Sequence, residues 1–589
     1  MKIIKGGEYL IKNSDAATVF TPEDYSEEVQ MLRESMLQFI LQEVEPIKEK
    51  FDTKEGTEIA PKLLDKLGEL GFLGMAVPEE YGGMNSDLRT ELATGEMFAL
   101  GYSFSQSMGL HTGLGIYPIM MYGTQAQKDE YLAKIVSAEI KPCYCLTEPS
   151  AGSDANSGKT KAVFTDDKKH FILNGQKMWI TNSGFADIFF VFCKIEDDEN
   201  ISCLLVKKEW GVKLGAEERK LGIHGSSTRQ VFFENIKVPV ENLIGERNKG
   251  FKIAMNALNL GRLKIAVANS AMGKKCLKLA VNYANERVQF GEAIANFGAI
   301  KHKLANMAIK IFAIESIWNR AAQQIDEAYE AFVADGMNDL DAKIKAAAEF
   351  AMECAMAKVY GSEAETYIVD EALQIHGGMG YSAESEIETH YRNIRGNRIY
   401  EGTNEINRLL TPTTLLRKAL KGEIDLMTPA MQAMQDLQSG NIKAAEQNDD
   451  VLVTAEQFLA NIKKASLLVS GQAMQTFQQK LKDEQEVLMN LADILTQVYV
   501  FESTLLRCKK HHQHENLSLR KDIVAVLMHE SADILKTASK EVVYAAASEE
   551  MATTILKGIN KLYQLPAINL KEKRRNIANH IISNNQYVI

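Results

Sequence analysis

The chain lacks the features that mark secreted and membrane-spanning proteins. Its seven cysteines are scattered over 589 residues and form no Cys-x-x-Cys pair. Cys143 and Cys145 are only two positions apart, so a disulfide between them would be strained. Buried, reduced thiols in a reducing compartment are the simplest interpretation. No apolar run approaches the ~20 residues that span a bilayer, and Met1–Leu10 has neither a secretory nor a transit pattern. We therefore expect a soluble, cytoplasmic protein.

Several common enzyme motifs are also missing. No G-x-G-x-x-G follows a strand, which argues against a Rossmann nicotinamide site. The triphosphate loop, the H-E-x-x-H zinc motif and the G-x-S-x-G elbow are absent. A formal charge of −11 argues against nucleic acid as a partner. His511, His512 and His514 could bind a metal, but nothing nearby supplies the remaining ligands, so we interpret them as a solvated loop and predict no metal.

The length is too great for one hydrophobic core and predicts several domains. Helical periodicity dominates residues 1–140, short β-rich runs dominate residues 141–252, and helical patterns return in residues 253–425. Residues 426–589 are helical again but richer in Gln, Lys and Glu. We therefore predict an α+β fold, mostly α: an N-terminal helical domain, a middle antiparallel β domain, a helical bundle and an extra C-terminal helical domain.

Periodicity also predicts individual elements. The predicted helices are Glu27–Glu43, Pro61–Leu70 with Gly71 as its cap, Asn259–Ala284, Ile300–Asp326, Asp341–Ile375 and Glu401–Leu420. The predicted strands are Ala186–Lys194, Ile201–Lys207 and Val231–Val238. Asn174-Gly175 is typical of a hairpin turn. The strand after that turn should place Trp179 and Thr181 on one face, because side chains alternate along a strand.

Five segments are candidates for a functional site. Two of them bring small or aromatic residues to places where a planar ring could bind: Tyr144–Asp154 (YCLTEPSAGSD) and Asn174–Asn182 (NGQKMWITN). The small residues of the first segment allow close backbone approach, although a simple turn would look the same. Trp179 and Thr181 in the second would suit an isoalloxazine ring, and a tryptophan in a strand core is the alternative.

The other three segments suit a nucleotide and a base. Arg287–Gly291 (RVQFG) offers Arg287 to a pyrophosphate, unless this is an ordinary surface arginine at a helix end. Gln374–Tyr381 (QIHGGMGY) exposes glycine backbone after a long helix, where a helix cap is the alternative. Arg398–Glu405 (RIYEGTNE) contains Glu401, which could serve as an N-terminal helix anion. It could instead be a base in a low-dielectric cleft.

Together these motifs resemble those of the acyl-CoA dehydrogenase family. The matching segments occur in the family's order over Glu23–Leu420: Gly71–Gly83 (GFLGMAVPEEYGG), Leu146–Asp154, Lys177–Asn182, Arg287–Gly291, Gln374–Tyr381 and Ile399–Asn404. Each motif alone is weak, but the set is highly specific. The chain is most similar to the very-long-chain branch, which also carries a helical C-terminal extension, here Met427–Ile589.

The resemblance implies a flavoenzyme that oxidises the Cα–Cβ bond of fatty acyl-CoA. Glu401 is the implied base, with Arg262 beside it; some relatives place the base at the position of Gly261, which has no side chain here. FAD is the implied cofactor, bound by Tyr144, Leu146, Thr147, Gly152, Ser153, Trp179, Thr181, Arg287, Gln289, Phe290, Phe297, Gln374, Gly377, Gly378, Thr403 and Glu405. The implied substrate contacts are Ser153, Asn259, Arg262, Tyr400 and Gly402.

The resemblance also implies the reaction and its partners. The base removes the α-proton, the β-hydride passes to the flavin, and an electron-transfer flavoprotein accepts the electrons. A homodimer is implied, and peripheral membrane contact of the extension stays open. Small residues Gly109 and Gly113, in the helix expected to floor the acyl pocket, favour long chains. Asn393 stands where many members have Asp after Arg392, so a local ion pair is in doubt.

Two other functions fit the same motifs. An acyl-CoA oxidase on this scaffold would differ in the rapid reaction of its reduced flavin with O2. A non-catalytic scaffold protein would keep the fold and use its C-terminal helices to bind a partner. Intact Glu401, Arg262 and Trp179 argue against the scaffold protein, whereas a protein purified without flavin would favour it.

Overall fold

The computed structural model describes residues 4–589 of the chain. They form two compact units. The mixed unit comprises Ser26–Lys264 and Phe332–Ala348, and the helical unit comprises residues 4–25, Ile265–Ala331 and Glu349–Ile589. Within the described residues, every helix is too short or too polar to cross a membrane.

Helices, then strands, then helices follow one another along the chain, as the hydrophobic patterns of the sequence predict. The helices are α1 Glu27–Phe39, α2 Glu55–Glu69, α3 Leu88–Phe98, α4 Phe104–His111, α5 Tyr117–Tyr122, α6 Gln125–Val136, α7 Gly250–Glu286, α8 Gly298–Ala334, α9 Asp339–Glu349, α10 Ala351–His376, α11 Glu386–Ile394, α12 Asn404–Leu420, α13 Met427–Gln438, α14 Val451–Phe477, α15 Gln485–Lys510, α16 Leu517–Ala546, α17 Glu549–Leu562 and α18 Leu570–Asn584. The strands are β1 Pro142–Cys145, β2 Lys161–Phe164, β3 His170–Thr181, β4 Ile188–Ile195, β5 Ser202–Lys207, β6 Lys213–Glu217, β7 Thr228–Pro239, β8 Leu243–Ile244, β9 Val288–Gln289 and β10 Glu292–Ala293. The predicted α+β class, mainly helical, is confirmed; the four domain boundaries stay predictions.

The mixed unit begins with helices whose starts are fixed by side-chain caps. Ser26 and Asp87 accept backbone N–H groups at the first turns of α1 and α3, and Thr124 forms a capping box with Gln127 at α6. Apolar side chains of α1, α2, α3 and α4 form one buried core, which includes Phe104. These contacts provide a helical layer beside the sheet of the same unit.

The sheet of the mixed unit has the strand order β6-β7-β3-β2-β4-β5-β8, and β1 pairs with β4. Most neighbours are antiparallel, whereas β1 and β2 both run parallel to β4. β4 is buried along almost its whole length, which explains why its sequence is continuously apolar rather than alternating. The Asn182 side-chain amide at the end of β3 donates to the Ser107 carbonyl of α4 at 2.9 Å, so the sheet is fastened to the helical layer.

The hairpin predicted at Asn174-Gly175 is wrong, because both residues lie inside the continuous strand β3. The pairing of β3 with β7 shifts register between Leu173 and Gly175. A Cβ at Gly175 would lie 2.5 Å from Oγ1 of Thr160. The glycine therefore allows the backbone of β3 to approach Thr160, just before β2, at a bulge, which is another common reason for glycine in a strand.

In the helical unit, α14 and α15 of the extension are joined to α8 by buried charges. Glu502 of α15 accepts from Arg320 of α8 at 2.9 Å and from Lys463 of α14 at 2.5 Å. The side chains of Arg320 and Glu502 are each 1% exposed. Because breaking a buried pair leaves an uncompensated charge, this contact fixes how the extension packs on α8.

All six predicted helices differ from the structure in their bounds. Three of them lie almost wholly within longer helices, namely α2, α7 and α8, and the other three differ as follows. The predicted helix Asp341–Ile375 is two helices, α9 and α10, separated at the buried residue Phe350. The predicted helix Glu27–Glu43 ends at Phe39 and continues as a π-turn. The third, predicted from Glu401, begins at Asn404. All seven cysteines are buried and free, with the sulfur atoms of the Cys143–Cys145 pair 3.8 Å apart.

Candidate active site

The loop that follows β1 is held in place by a buried ion pair. Lys177 Nζ lies 2.6 Å from Glu148 Oε1 and donates to the Leu146 carbonyl at 3.0 Å. Glu148 also accepts the backbone N–H groups of Lys159 and Thr160. Burial acts to raise the pKa of Glu148, but the Lys177 ammonium outweighs it and the pKa lies below its usual value. Glu148 therefore stays ionised and ties the loop to β3.

Trp179 lies beside this loop in an unusual backbone conformation. The Met178 N–H donates to the Thr147 carbonyl at 3.0 Å, which joins β3 to the loop. Register shifts between Lys177 and Ile180, and Trp179 has φ +60°. The indole is 49% exposed, although tryptophan is usually well covered. The alternation predicted for Trp179 is thus interrupted by a bulge that turns a large aromatic side chain to the surface.

Small residues leave the loop backbone open. A Cβ at Gly152 would meet no atom within 4 Å, and Ser153 next to it is exposed. Leu146, Thr147 and Thr181 are half-buried, and Tyr144 is buried. This part of the mixed unit therefore combines an aromatic surface, hydroxyl groups and accessible backbone, which suits a planar ring and its polar substituents.

Arg262 and Asn259 occupy one face of α7. Arg262 Nη1 donates to Asn259 Oδ1 at 2.9 Å, as expected for residues three apart on a helix. Arg262 is 2% exposed and Asn259 is 5% exposed. A guanidinium at that depth is a strong local source of positive charge.

Glu401 lies in a tight turn of the helical unit. It has φ +56° and Gly402 has φ +84°, so two successive residues are left-handed. This conformation costs about 1–2 kcal/mol at a non-glycine residue. Such strain is typical of functional sites, where the surroundings maintain it. Glu401 is half-buried, and its Oε2 atom is shielded from solvent.

The turn is stabilised from its C-terminal side by α12. Thr403 caps α12 by accepting the Ile406 N–H at 3.3 Å, and Asn407 Nδ2 donates to the carbonyls of Gly402 and Thr403 at 2.8 and 3.1 Å. Glu405 is exposed in the first turn of α12. Its own backbone N–H and the Thr403 hydroxyl lower its pKa, so its carboxylate is held at the helix N-terminus.

The residues predicted for the nucleotide lie where α7 and α10 end. Tyr283 of α7 stacks on His376 of α10 with ring centroids 4.5 Å apart. Beyond these ends, Phe290 is 96% exposed, with φ +55°. Its ring meets Phe297 edge-on at 6.0 Å. The remaining predicted residues here are exposed, and a Cβ at either glycine would meet nothing within 4 Å: Arg287, Gln289, Gln374, Gly377 and Gly378.

The structure thus collects the predicted residues into two sets. The mixed unit contains Tyr144, Leu146, Thr147, Gly152, Ser153, Trp179, Thr181, Asn259 and Arg262, and the helical unit contains the other predicted site residues. Four residues that support these sets were not predicted. Lys177 and Glu148 hold the loop after β1, Lys358 donates to the Gly402 carbonyl, and Asn397 accepts a hydrogen bond from the Tyr400 hydroxyl. Lys177 and Glu148 stand inside two of the motifs, which is the one signal that could have identified them.

Family models for the acyl-CoA dehydrogenase N-terminal, middle and C-terminal domains match residues 26–139, 143–236 and 248–415. A further model, also described as an acyl-CoA dehydrogenase C-terminal domain, matches residues 461–561. The chain belongs to the acyl-CoA dehydrogenase family. The resemblance of the motifs and the predicted class of enzyme are therefore confirmed.

Three relatives illustrate the similarity. A probable acyl-CoA dehydrogenase of Bacillus subtilis is 39% identical over 99% of this chain and 98% of its own length. The very-long-chain specific enzyme of Rattus norvegicus is 37% identical over 64% of this chain and 58% of its own length. A solved acyl-CoA dehydrogenase of Bacillus anthracis, complexed with FAD, shares 39% identity with a TM-score of 0.96 over the full length of both chains.

Proposed function

We propose that the protein is an FAD-dependent acyl-CoA dehydrogenase that converts long-chain fatty acyl-CoA to trans-2-enoyl-CoA in fatty acid β-oxidation. The observation that carries this proposal is the position of Glu401 in a left-handed turn, within the family motif Ile399–Asn404. A strained, half-buried carboxylate in a turn stabilised by α12 is a good candidate for a base whose orientation must be fixed.

FAD is the cofactor, and the residues of the site fit it. Trp179 presents an exposed indole beside the half-buried Thr147 and Thr181, where a flavin ring can bind. Gly152, Gly377 and Gly378 leave open space in which a nucleotide can approach the backbone. When bound, FAD supplies the oxidised ring that accepts the β-hydride. The protein contributes binding, orientation, exclusion of water and the base.

The reacting thioester would be held by charge and hydrogen bonds from the chain. Glu401 would remove the α-proton, and its backbone N–H would donate to the thioester oxygen as negative charge develops there. Arg262, buried and fixed to Asn259, would stabilise that charge and the substrate. Ser153, Tyr400 and Gly402 complete the proposed substrate contacts.

The preference for long chains rests on open space in the mixed unit. Gly109 lies in α4, and a Cβ there would meet no atom within 4 Å. Gly113 lies beyond the end of α4, where a Cβ would lie 2.7 Å from the Gly109 carbonyl oxygen. Glycine is therefore required at this position by the turn after α4. Gly109 is therefore the residue that we propose deepens the acyl pocket.

The proposed partners follow from the family. We propose an electron-transfer flavoprotein as the electron acceptor and a homodimer as the working assembly. The large exposure of Phe290 in the nucleotide region is compatible with contact to a second subunit. Peripheral membrane contact of the extension is a further proposal.

The proposal is tested by replacing Glu401 with Gln. Gln has nearly the same shape but is not a base, so the variant should bind FAD normally and fail to bleach it on addition of acyl-CoA. The matched control is Glu423→Gln, an exposed carboxylate on the turn after α12, which should behave like the wild type. The assay is a spectral titration of the purified full chain with acyl-CoAs of graded length. Normal bleaching by the Glu401 variant would refute the assignment.

The same preparation separates the two competing functions. Rapid reoxidation of the substrate-reduced flavin by O2, without need of a protein acceptor, would identify an oxidase. A chain that contains no flavin and takes up none from added FAD would identify a scaffold protein.

A further inference from the structure

Two of the ionisable side chains that helix α10 buries, Lys358 and Glu365, flank the Glu401 turn through their partners, and the proposed reaction uses neither. Lys358 is 0% exposed and Glu365 is 1% exposed. The two residues are seven positions apart, close to two helical turns, so they lie on the same face of α10. Ionisable groups are buried at a cost unless they have polar partners. Their partners Gly402, Asn404 and Asn397 lie within four residues of Glu401 in the chain.

Lys358 holds the segment that follows Glu401. Its ammonium donates to the Gly402 carbonyl at 2.8 Å and to Asn404 Oδ1 at 2.8 Å. Gly402 is the second left-handed residue of the turn, and Asn404 is the first residue of α12. One buried cation therefore joins the turn to the start of the helix that follows.

Glu365 holds the segment that precedes Glu401. Its Oε2 accepts from Asn397 Nδ2 at 2.8 Å, and the same amide nitrogen donates to Asn269 Oδ1 at 2.9 Å. With its nitrogen engaged in this way, Asn397 presents its Oδ1 to the Tyr400 hydroxyl, which donates to it. The carboxyl group thus fixes the orientation of an amide, and the amide fixes the residue before Glu401.

Glu365 performs this role as a neutral acid. Burial raises its pKa to about 8, and the hydrogen bond from Asn397 acts in the opposite direction. At neutral pH its carbonyl oxygen therefore accepts from Asn397 without bringing a negative charge close to Glu401. A carboxamide at this position offers the same acceptor oxygen, whereas an alkyl side chain offers none.

We propose that Lys358 and Glu365 are positioning residues for the reaction: they hold the two sides of the left-handed turn so that the Glu401 carboxylate is fixed for α-proton removal. This inference rests on the proposed function and deepens it. Neither side chain is proposed to touch substrate or cofactor. Both act through atoms of neighbouring residues, Gly402 on one side and Asn397 with Tyr400 on the other.

The test compares three variants of the full holoenzyme. Glu365→Leu and Lys358→Met should each lower kcat at least ten-fold, with KM changed less than two-fold and FAD retained. Glu365→Gln should stay within two-fold of the wild type, because it keeps the acceptor. With α-deuterated acyl-CoA, the kinetic isotope effect should increase in the two impaired variants, because a misplaced base slows the removal of the α-proton.

The matched control is Glu353→Leu on the same helix. Glu353 is also a buried carboxyl of α10, but it accepts the Gly7 N–H at 2.8 Å, away from the Glu401 turn. A purely structural loss should affect both leucine variants alike and leave the isotope effect unchanged. If Glu365→Leu shows no more change in kcat and isotope effect than this control, the proposal is wrong. It is also wrong if Glu365→Gln is as impaired as Glu365→Leu.

The proposal stays testable if one variant fails to fold, and its failure can be distinguished from failure of the proposed function. If Glu365→Leu fails to fold, Lys358→Met keeps the proposal testable, because Lys358 holds the Gly402 side of the turn and contacts neither substrate nor cofactor in the proposal. Its kcat should still fall at least ten-fold with a larger isotope effect, and unchanged values of both would overturn the proposal. Failure of the proposed function would give a different result. In that case none of the acyl-CoAs would bleach the flavin of the wild type, or Glu401→Gln would remain active.

Discussion

Replacing Glu365 with Gln should change how stability depends on pH. Burial raises the pKa of Glu365 from its ordinary value of 4.5 to about 8, with the hydrogen bond from Asn397 opposing the shift. The folded state thus keeps a proton that the unfolded chain releases above about pH 4.5. Stability therefore falls as pH rises from the unfolded pKa to the folded pKa, and then levels off. The Gln side chain does not titrate, so the stability of the variant does not decrease in this way.

The size of the effect follows from the shift. One pKa unit corresponds to about 1.4 kcal/mol. Between pH 6 and pH 8 the wild type should therefore lose about 2 kcal/mol relative to Glu365→Gln, because the slope declines as the folded pKa is approached. In a unit of several hundred residues, 1 kcal/mol moves Tm by roughly 1–2 °C. The Tm difference between the two proteins should thus grow by roughly 2–4 °C over this range.

Thermal unfolding of both proteins, followed by circular dichroism from pH 5 to pH 9, measures this difference. Glu353→Gln is the control with a different pH range: burial raises the pKa of Glu353 to about 7, opposed by Lys418. The Tm difference between Glu353→Gln and the wild type should stop growing near pH 7, whereas the Tm difference between Glu365→Gln and the wild type should grow until about pH 8. Tm curves of wild type and Glu365→Gln that stay parallel would show that Glu365 is not a buried neutral acid.

Two further predictions concern the extension and the acyl pocket. Glu502→Gln removes the anion that Arg320 and Lys463 share, so the free energy of unfolding should fall by about 3–5 kcal/mol. The midpoint of thermal or urea unfolding measures this, and an unchanged midpoint would contradict it. Gly109→Leu should fill the open space at α4, so that long acyl-CoAs lose their ability to bleach the flavin while short ones keep it. Equal loss for all chain lengths would count against Gly109 as part of the pocket.

The sequence predicted the long helices well because their apolar periodicity continues for many turns, as in α7 and α8. It failed where tertiary contacts decide the local conformation. Asn174-Gly175 carries a hairpin signal, yet Gly175 is needed for contact with Thr160. The division between α9 and α10 at Phe350 has no glycine or proline to announce it, and the buried phenyl ring is its visible feature.

The motifs predicted which residues would contribute to the site but not how they are supported. The left-handed turn at Glu401 is compatible with the adjacent Gly402, and Thr403, a favoured N-cap residue, was the local signal for a helix start at Asn404 that the prediction from Glu401 overlooked. Lys358 and Glu365 look like ordinary charged residues of an exposed helix face. Their burial depends on packing between segments far apart in the chain, which periodicity does not describe. The departure at Asn393 leaves Arg392 bound to Glu388 of the same helix at 2.6 Å.

Because all seven thiols are buried, the native cysteines can be used as probes of local opening by chemical labelling. Four thiols report on the mixed unit (Cys143, Cys145, Cys193 and Cys203), and three report on the helical unit (Cys276, Cys354 and Cys508). A thiol-alkylating reagent can reach them only in molecules that have opened locally. Peptide mapping after timed alkylation would therefore reveal which unit opens first, without the introduction of a single mutation.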